Sequence, residues 1–487
     1  MTAAQTTAQA LRNPRLFTTE VLAGIVTTLA LIPEVISFSV IAGVDPKVSL
    51  IASVVLAVSM TILGGRPAMI TAAAGAVALV VAPLVHEHGV EYLLPTVILA
   101  GIVQILFGVL GLARLMRFIP RSVMLGFVNA LGILIFAAQV PHVIGVPWLV
   151  YPLFALTLLI TIGLPRLTTA VPAPLVAIVV VTAIALIARL SVPTVGDQGA
   201  VGGGLPGFTE LEVPLSLDTL AIIWPTALSI AFVGLMETLL TAKLVDDLTD
   251  TKSQKNRESW ALGVANILAG FWGGIAGCAM IGQTVVNVKL GQARTRISTF
   301  VVGVFLLALV TVLSDVMERI PMVALAAVMM VVAVSTVNWR SVSPSTLRRM
   351  PLSETLVMVA TVAIVVATGN LAIGVGAGVV LAIVLFARRV AHVVAVSRRV
   401  ESDGGIGYVV RGPLFFGSSN DLVEQFSYAE DAGPVTVDLS AAQIWDASTV
   451  AALDGVRQKY ADHGTEVRFT GLDERSTDFH DRLSGTL

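Results

Sequence analysis

Apolar runs of about 16 to 25 residues follow one another along the first 395 positions of this 487-residue chain. That repetition constrains the fold more than any motif does. About 20 apolar residues in a helix cover the hydrocarbon core of a bilayer, and a helix satisfies its backbone polar groups internally there. Only 13% of the residues are charged and 56% are hydrophobic, whereas about a quarter of a soluble chain is charged. Lipid is therefore the expected solvent, and the expected class is a polytopic α-helical membrane protein. The first 18 residues are polar, and no small-residue cleavage site closes the apolar stretch after them, so no cleavable leader is expected. The single cysteine, Cys278, excludes an intrachain disulfide. A net charge of −2 gives no sign of a nucleic-acid partner.

The runs are placed near 19–43, 48–63, 69–85, 92–112, 119–139, 147–163, 172–189, 217–243, 258–274, 278–290, 297–314, 322–338, 354–369 and 371–394. Fourteen segments put both termini on one side. Of the 24 Lys and Arg before position 400, 21 then fall on that side, and only Lys47, Arg189 and Arg319 fall opposite. The positive-inside rule makes both termini cytoplasmic, in a cytoplasmic (inner) membrane. The expected division is an N-terminal cytoplasmic tail over 1–18, a transmembrane domain over 19–395 and a soluble cytoplasmic domain over 400–487. In the last of these, "PVTVDLS" (434–440) reads as a buried strand. "ASTVAALDGVRQKYADHG" (447–464) reads as a helix closed by Gly464, and "EVRFTGL" as the next strand.

The membrane region divides into two halves, 19–189 and 217–394, that share a pattern. Each carries a glutamate within its first segment, Glu34 in "LIPEVISF" and Glu237 in "GLMETLL". Each has a short, small-residue third segment, "MITAAAGAVALVV" and "GCAMIGQTVVNV". Seven is an odd number, so the second half must be inverted relative to the first. Short, glycine-interrupted segments at matching places in inverted halves point to a midplane binding site. The half-helix starts fall at Ala73, Ala74 and Gly75, and at Ala279, Met280 and Ile281. Their free N–H groups and positive dipole ends favour an anion. A charged side chain inside a membrane is costly and marks a functional site by default, which singles out both glutamates. Pro33, beside Glu34, is expected to break its helix and free backbone groups. Glu34 then has two possible roles, a structural acid bonded to that backbone or a proton-coupling group.

The stretches "LIPEVISFSVIAGVDPKVSL", "GGRPAMITAAAGA", "GLMETLLTAK", "NRESWALGVANILAGFWGG", "GQTVVNVKLGQARTR" and "VTVDLSAAQIWDASTVAALD" together resemble the sulfate permease (SulP) anion transporters that end in a STAS domain. The resemblance runs in order over nearly the whole chain. It implies two inverted seven-segment repeats arranged as core and gate domains, similar to the uracil-permease fold. It also implies a homodimer and an elevator-like movement of the core. Two departures stand out. Many members carry an arginine where this chain has Gln283, and commonly a glutamine where it has Glu34. The site is then more acidic than usual, which favours an organic acid or bicarbonate over sulfate and protonation of a glutamate when the anion binds.

The expected function is transport, not enzyme catalysis: a secondary active anion transporter, coupled to protons through Glu237 and Glu34, with sodium as the alternative coupling ion. Its substrate would be a small anion such as fumarate, bicarbonate or sulfate. It would be held between the third and tenth segments, chiefly by backbone N–H groups, with Gln283 beside it. A sodium-coupled bicarbonate symporter, an anion channel, a nucleobase symporter of the related fold and a membrane-tethered signalling protein are the other readings. No cofactor or metal is expected; His86 and His88 read as solvated. Thr284, Asn287, Asn129 and Asn266 read as bridges between helices, and Lys243 is a conceivable ion-pair partner for Glu237. At "DAST" (446–449), Asp446 or Ser448 is placed to cap a helix. The resemblance also makes Ser448 a possible regulatory phosphorylation site.

Overall fold

Each of the fourteen apolar runs carries a helix in the computed structural model, which describes residues 6–168, 171–199, 207–214, 216–391, 394–400, 405–431 and 433–486. The first five residues of the expected N-terminal tail, and 401–404 at the expected start of the soluble domain, lie outside the described residues. The chain divides into two compact units at Val379.

In the first unit the helices are α1 (Pro14–Ala42), α2 (Pro46–Leu63), α3 (Gly75–His88), α4 (Leu93–Val109), α5 (Arg121–Gln139), α6 (Val150–Gly163) and α7 (Ala173–Ile187). The second half supplies α8 (Leu217–Thr249), α9 (Lys255–Gly270), α10 (Ile281–Val285, continued by a π-turn over Val286–Leu290), α11 (Arg296–Val312), α12 (Met322–Thr336), α13 (Leu352–Thr368) and α14 (Leu371–Ala391). Among the described residues, six helices are long and apolar enough to cross a membrane alone. The starts follow local chemistry. Pro14 and Pro46 sit in first turns, where no N–H is needed, and Ser216 caps α8 by accepting from Thr219 N at 3.1 Å.

The expected break at Pro33 does not occur. α1 runs through it without interruption, and the Ser37 hydroxyl donates to the Pro33 carbonyl at 2.9 Å. One missing donor does not outweigh the close packing on both sides of it.

Packing sorts the helices into two groups. α11 lies on α1 and α2, α9 on α2 and α4, and α8 against α3 and α4. Separately, α12 and α13 pack on α5, and α6 on α7 and α12. The first four elements of each half thus form one bundle, and the last three of each belong to another. Without a hydrophobic drive in lipid, close approach decides such contacts. Where α4 crosses α9, a Cβ on Gly101 would strike the Gly263 carbonyl, and one on Gly263 would strike that of Gly101. Only glycine permits that crossing.

Two short strands interrupt the helical pattern, β1 (Thr71–Ala73) just before α3 and β2 (Gly277–Ala279) just before α10. They pair antiparallel, Thr71 with Ala279, Ala72 with Cys278 and Ala73 with Gly277. Extended backbone inside a membrane needs partners for its N–H and C=O groups, and here each half of the chain supplies them to the other.

The second unit holds a four-stranded sheet of β3 (Ala395–Val400), β4 (Ile406–Leu414), β5 (Val435–Ile444) and β6 (Val467–Thr470), in that order. β3 is antiparallel to β4, and β4, β5 and β6 are parallel. The helices α15 (Ser419–Glu424), α16 (Ala447–Asp462) and α17 (Glu474–Leu483) complete it. The strand and helix expected around 434–440 and 447–464 are present. β3 begins ahead of the expected domain start at 400; its alternation of exposed serine and arginine gave little apolar signal. The core includes Tyr408, Val410, Leu439, Leu453, Val456 and Tyr460.

That core encloses a carboxylate, Asp431. Arg398, on β3, reaches it through Nε at 2.8 Å and Nη2 at 2.7 Å. The hydroxyls of Tyr408 and Tyr460 each donate to its other oxygen at 2.6 Å. Burial alone would push the carboxyl up, but these donors and the arginine charge outweigh it and hold it below the usual carboxylate range.

Candidate functional site

The β1–β2 pair places the N-termini of α3 and α10 side by side, and this is the centre of the site. The first N–H groups of a helix have no partner within it. Among the residues expected to bind an anion, three backbone donors are already engaged. Ala73 N donates to the Ser53 hydroxyl at 3.1 Å, Ala279 N to the Thr238 hydroxyl at 3.0 Å, and Met280 N to the Ile70 carbonyl at 2.9 Å. These residues hold the scaffold. Ala74 and Met280 are the N-cap residues, with no side-chain cap. The first turns therefore present Gly75 and Ala76 on one side, and Ile281, Gly282 and Gln283 on the other.

The second half builds its part of the site tightly. Glu237, on α8, is 7% exposed, and its Oε2 accepts from the Cys278 thiol at 2.9 Å. The Thr241 hydroxyl ties the Glu237 carbonyl (2.8 Å) to the Ala279 carbonyl (3.2 Å). Asn266, on α9, lies against β2 like a further strand: its Oδ1 accepts from Gly277 N at 2.8 Å and its Nδ2 donates to Gly277 O at 3.2 Å. The same Nδ2 donates to Gln104 Oε1 at 2.9 Å. A Cβ at Gly277 would collide with the Ala72 carbonyl and Leu56, so glycine is required there. Lys243 pairs with Asp247 at 3.1 Å and leaves Glu237 alone.

The first half is looser. Glu34 is half-buried, and its carboxyl accepts from the Gln283 amide. One turn later the Phe38 ring lies on Gly75, so that a Cβ there would sit 2.6 Å from it. Glu34 is thereby placed near both half-helix starts. Neither Glu34 nor Glu237 has an ion pair among the described residues.

Thr284 accepts from Ile70 N at 3.0 Å, and Asn287 donates to Ala68 O at 2.9 Å and Ser298 Oγ at 3.0 Å. Asn129 joins Ser341 and Asn338. All three bridge elements, as expected. Sequence reasoning missed Cys278, Thr238 and the Gln104–Asn266 pair, whose roles arise from contacts across 41 to 162 positions.

The same bundle carries a cluster of buried charge at one end. Arg66 meets Asp246 at 3.0 Å and bonds Thr249 and Thr251. Glu258 accepts from Gly65 N and Arg66 N at 2.5 and 2.8 Å. Glu20 accepts from Arg294 N, Thr295 N and Ser298 N. Arg257 and Arg296 cover the last carbonyls of α2.

In the second unit Asp446 is the cap of α16, accepting from Thr449 N at 3.1 Å, and Ser448 stands exposed in the first turn. His86 and His88 are exposed in the last turn of α3. Among the described residues no group of His, Cys, Asp and Glu is arranged for a metal ion.

The sulfate permease family model matches residues 17–150 and 146–361, and the STAS domain model residues 397–483. This chain belongs to the sulfate permease family. Its family is one of anion transporters, and it carries a C-terminal STAS domain. It is 50% identical over 457 residues to the Bacillus subtilis (strain 168) protein named "Putative sulfate transporter YbaR", covering 94% of this chain and 95% of that one. It is 24% identical to "Bicarbonate transporter BicA" of Picosynechococcus, over 93% of this chain and 88% of the relative. Among solved structures, murine Solute Carrier 26 family member A9 in the inward-facing state matches with a TM-score of 0.81 at 16% identity, covering 96% of this chain and 87% of that one. The transmembrane domain of a cyanobacterial BicA matches at 0.65 and 23% identity, covering 75% and 97%. The fold is therefore that of two inverted seven-segment repeats followed by a STAS domain.

Proposed function

We propose that this sulfate permease family member is a secondary active symporter that moves a small anion together with a proton across the cytoplasmic membrane, with both termini cytoplasmic. The carrying observation is the combination of paired half-helix N-termini with two glutamates that have no ion pair among the described residues. The anion sits against the N–H groups of Gly75 and Ala76 and of Ile281 to Gln283. A proton on Glu237, and a second on Glu34, removes the repulsion an anion would otherwise meet. With no fixed cation at Gln283, the site suits a dicarboxylate such as fumarate, or bicarbonate, better than sulfate. The bundle of α1–α4 and α8–α11 carries the whole site, so it moves as one body against the other helices in an elevator-like step, within a homodimer.

Uptake into proteoliposomes tests this reading. It should rise with an inward proton gradient and saturate with anion. Uptake that ignores the pH gradient but fails when choline replaces sodium would favour a sodium-coupled bicarbonate carrier; one relative is named a bicarbonate transporter. Steady current without saturation would favour a channel.

A further inference from the structure

The soluble domain holds a cavity of about 490 Å³ along β6 and α17 that has no part in the site above. Arg457 of α16, Arg468 of β6 and His480 of α17 all line it. Arg457 stacks over the Phe469 ring at 5.1 Å, and its nearest carboxylate, Asp454, is 3.9 Å away. That separation leaves most of the guanidinium donors free. Arg468 is exposed on the edge strand. His480 is 7% exposed and lies edge-on to Phe469. Its Nδ1 faces Asp481 Oδ1 at 3.3 Å, while its Nε2 is buried without a partner. Asp481, the one acidic lining group, is 71% exposed and already turned to His480.

We propose that this cavity binds a small oxyanion, its oxygens paired by Arg457 and Arg468, with the His480 ring forming part of the wall behind them. Guanidinium groups match the oxygens of a phosphate or carboxylate in fixed geometry. Thr470 and Thr477 add no donors, because their hydroxyls are engaged by Val437 O and Asp473 O.

Hydrogen–deuterium exchange of the full chain in detergent, followed on peptides spanning 467–483, tests this. Millimolar inorganic phosphate or succinate is compared with chloride at matched ionic strength. At least one oxyanion should slow exchange there. Slowing by phosphate alone assigns a tetrahedral group, and slowing by succinate alone a carboxylate. The double variant Arg457→Gln with Arg468→Gln should weaken the apparent affinity about tenfold. No slowing by either oxyanion, equal slowing by chloride, or undiminished slowing in the double variant overturns the proposal. Both changes fall on exposed side chains, so the variant domain should stay folded and the comparison remain decisive.

Discussion

Asp431 and Glu237 are both buried carboxyl groups, but they are held very differently. Asp431 has an arginine on one oxygen and two tyrosine hydroxyls on the other. Glu237 has one thiol. The first site has enough donors to keep a charge permanently, and in return β3 is tied to the STAS core. The second has no positive partner and lies one strand from the paired helix starts. A carboxyl that is fully compensated acts as a fixed part of the structure. One left with a single weak donor is not compensated in that way. Glu34 stands between these cases, half-buried and bonded to the Gln283 amide in the first turn of α10.

The contrast can be broken by mutation, and the largest effect is expected at Glu237. Glu237→Gln should cut proton-driven uptake by more than about tenfold, consistent with the cost of misplacing one charge in a membrane, while leaving STAS unfolding unchanged. Uptake that keeps its response to the pH gradient would remove Glu237 from the coupling role.

Asp431→Asn should do the reverse. It should lower the stability of the STAS domain by about 2–4 kcal/mol, somewhat below the cost of breaking a fully buried pair because Arg398 is partly exposed. Transport energetics should stay as they were. Hydrogen–deuterium exchange on peptides from 405–486 gives the local readout, since five of the chain's six tryptophans lie outside the domain. The sign with pH follows from the depressed value of Asp431. Its contribution is full above the unfolded carboxylate value of about 3.9 and is lost as pH falls through the lower folded value. The variant should therefore be less acid-sensitive than the wild type in that range.

Asn266→Ala probes how far the Glu237 side depends on its scaffold. Leaving Gly277 N–H without its acceptor should cost about 1–3 kcal/mol and raise KM more than it lowers stability, measured as uptake against anion concentration. The smallest change is expected for Glu34→Gln. It keeps a side chain able to bond Gln283, so KM should shift by less than about tenfold with the response to pH largely kept. A loss as severe as that of Glu237→Gln would make the two glutamates equivalent.

Much of this was legible from the residues alone. Apolar length placed all fourteen segments, and the small-residue runs at 73–75 and 279–281 located the two half-helix starts. The details of the site were not legible, because they depend on partners brought together by folding. A lone cysteine gives no sign that it faces a glutamate 41 positions earlier. An asparagine in an apolar helix reads as a generic bridge until its amide is found on Gly277. Pro33 misled for a related reason. Proline's lost hydrogen bond is a local rule, and α1 is held straight through that point by neighbours that no local rule includes. Likewise, counting open N–H groups from helix starts overstates the anion site, since Ser53, Thr238 and Ile70 take three of them.

The three-residue ladder between β1 and β2 also bears on how the molecule is made. Its strands lie some 200 positions apart, so the first emerges from synthesis long before the second. Until β2 arrives, Thr71 to Ala73 hold an open strand edge at membrane depth, which lipid cannot solvate. The first repeat is therefore not a half-sized carrier awaiting a copy of itself. It is an unfinished piece that has to be shielded, by the insertion machinery or by its own helices, until the inverted half closes the ladder.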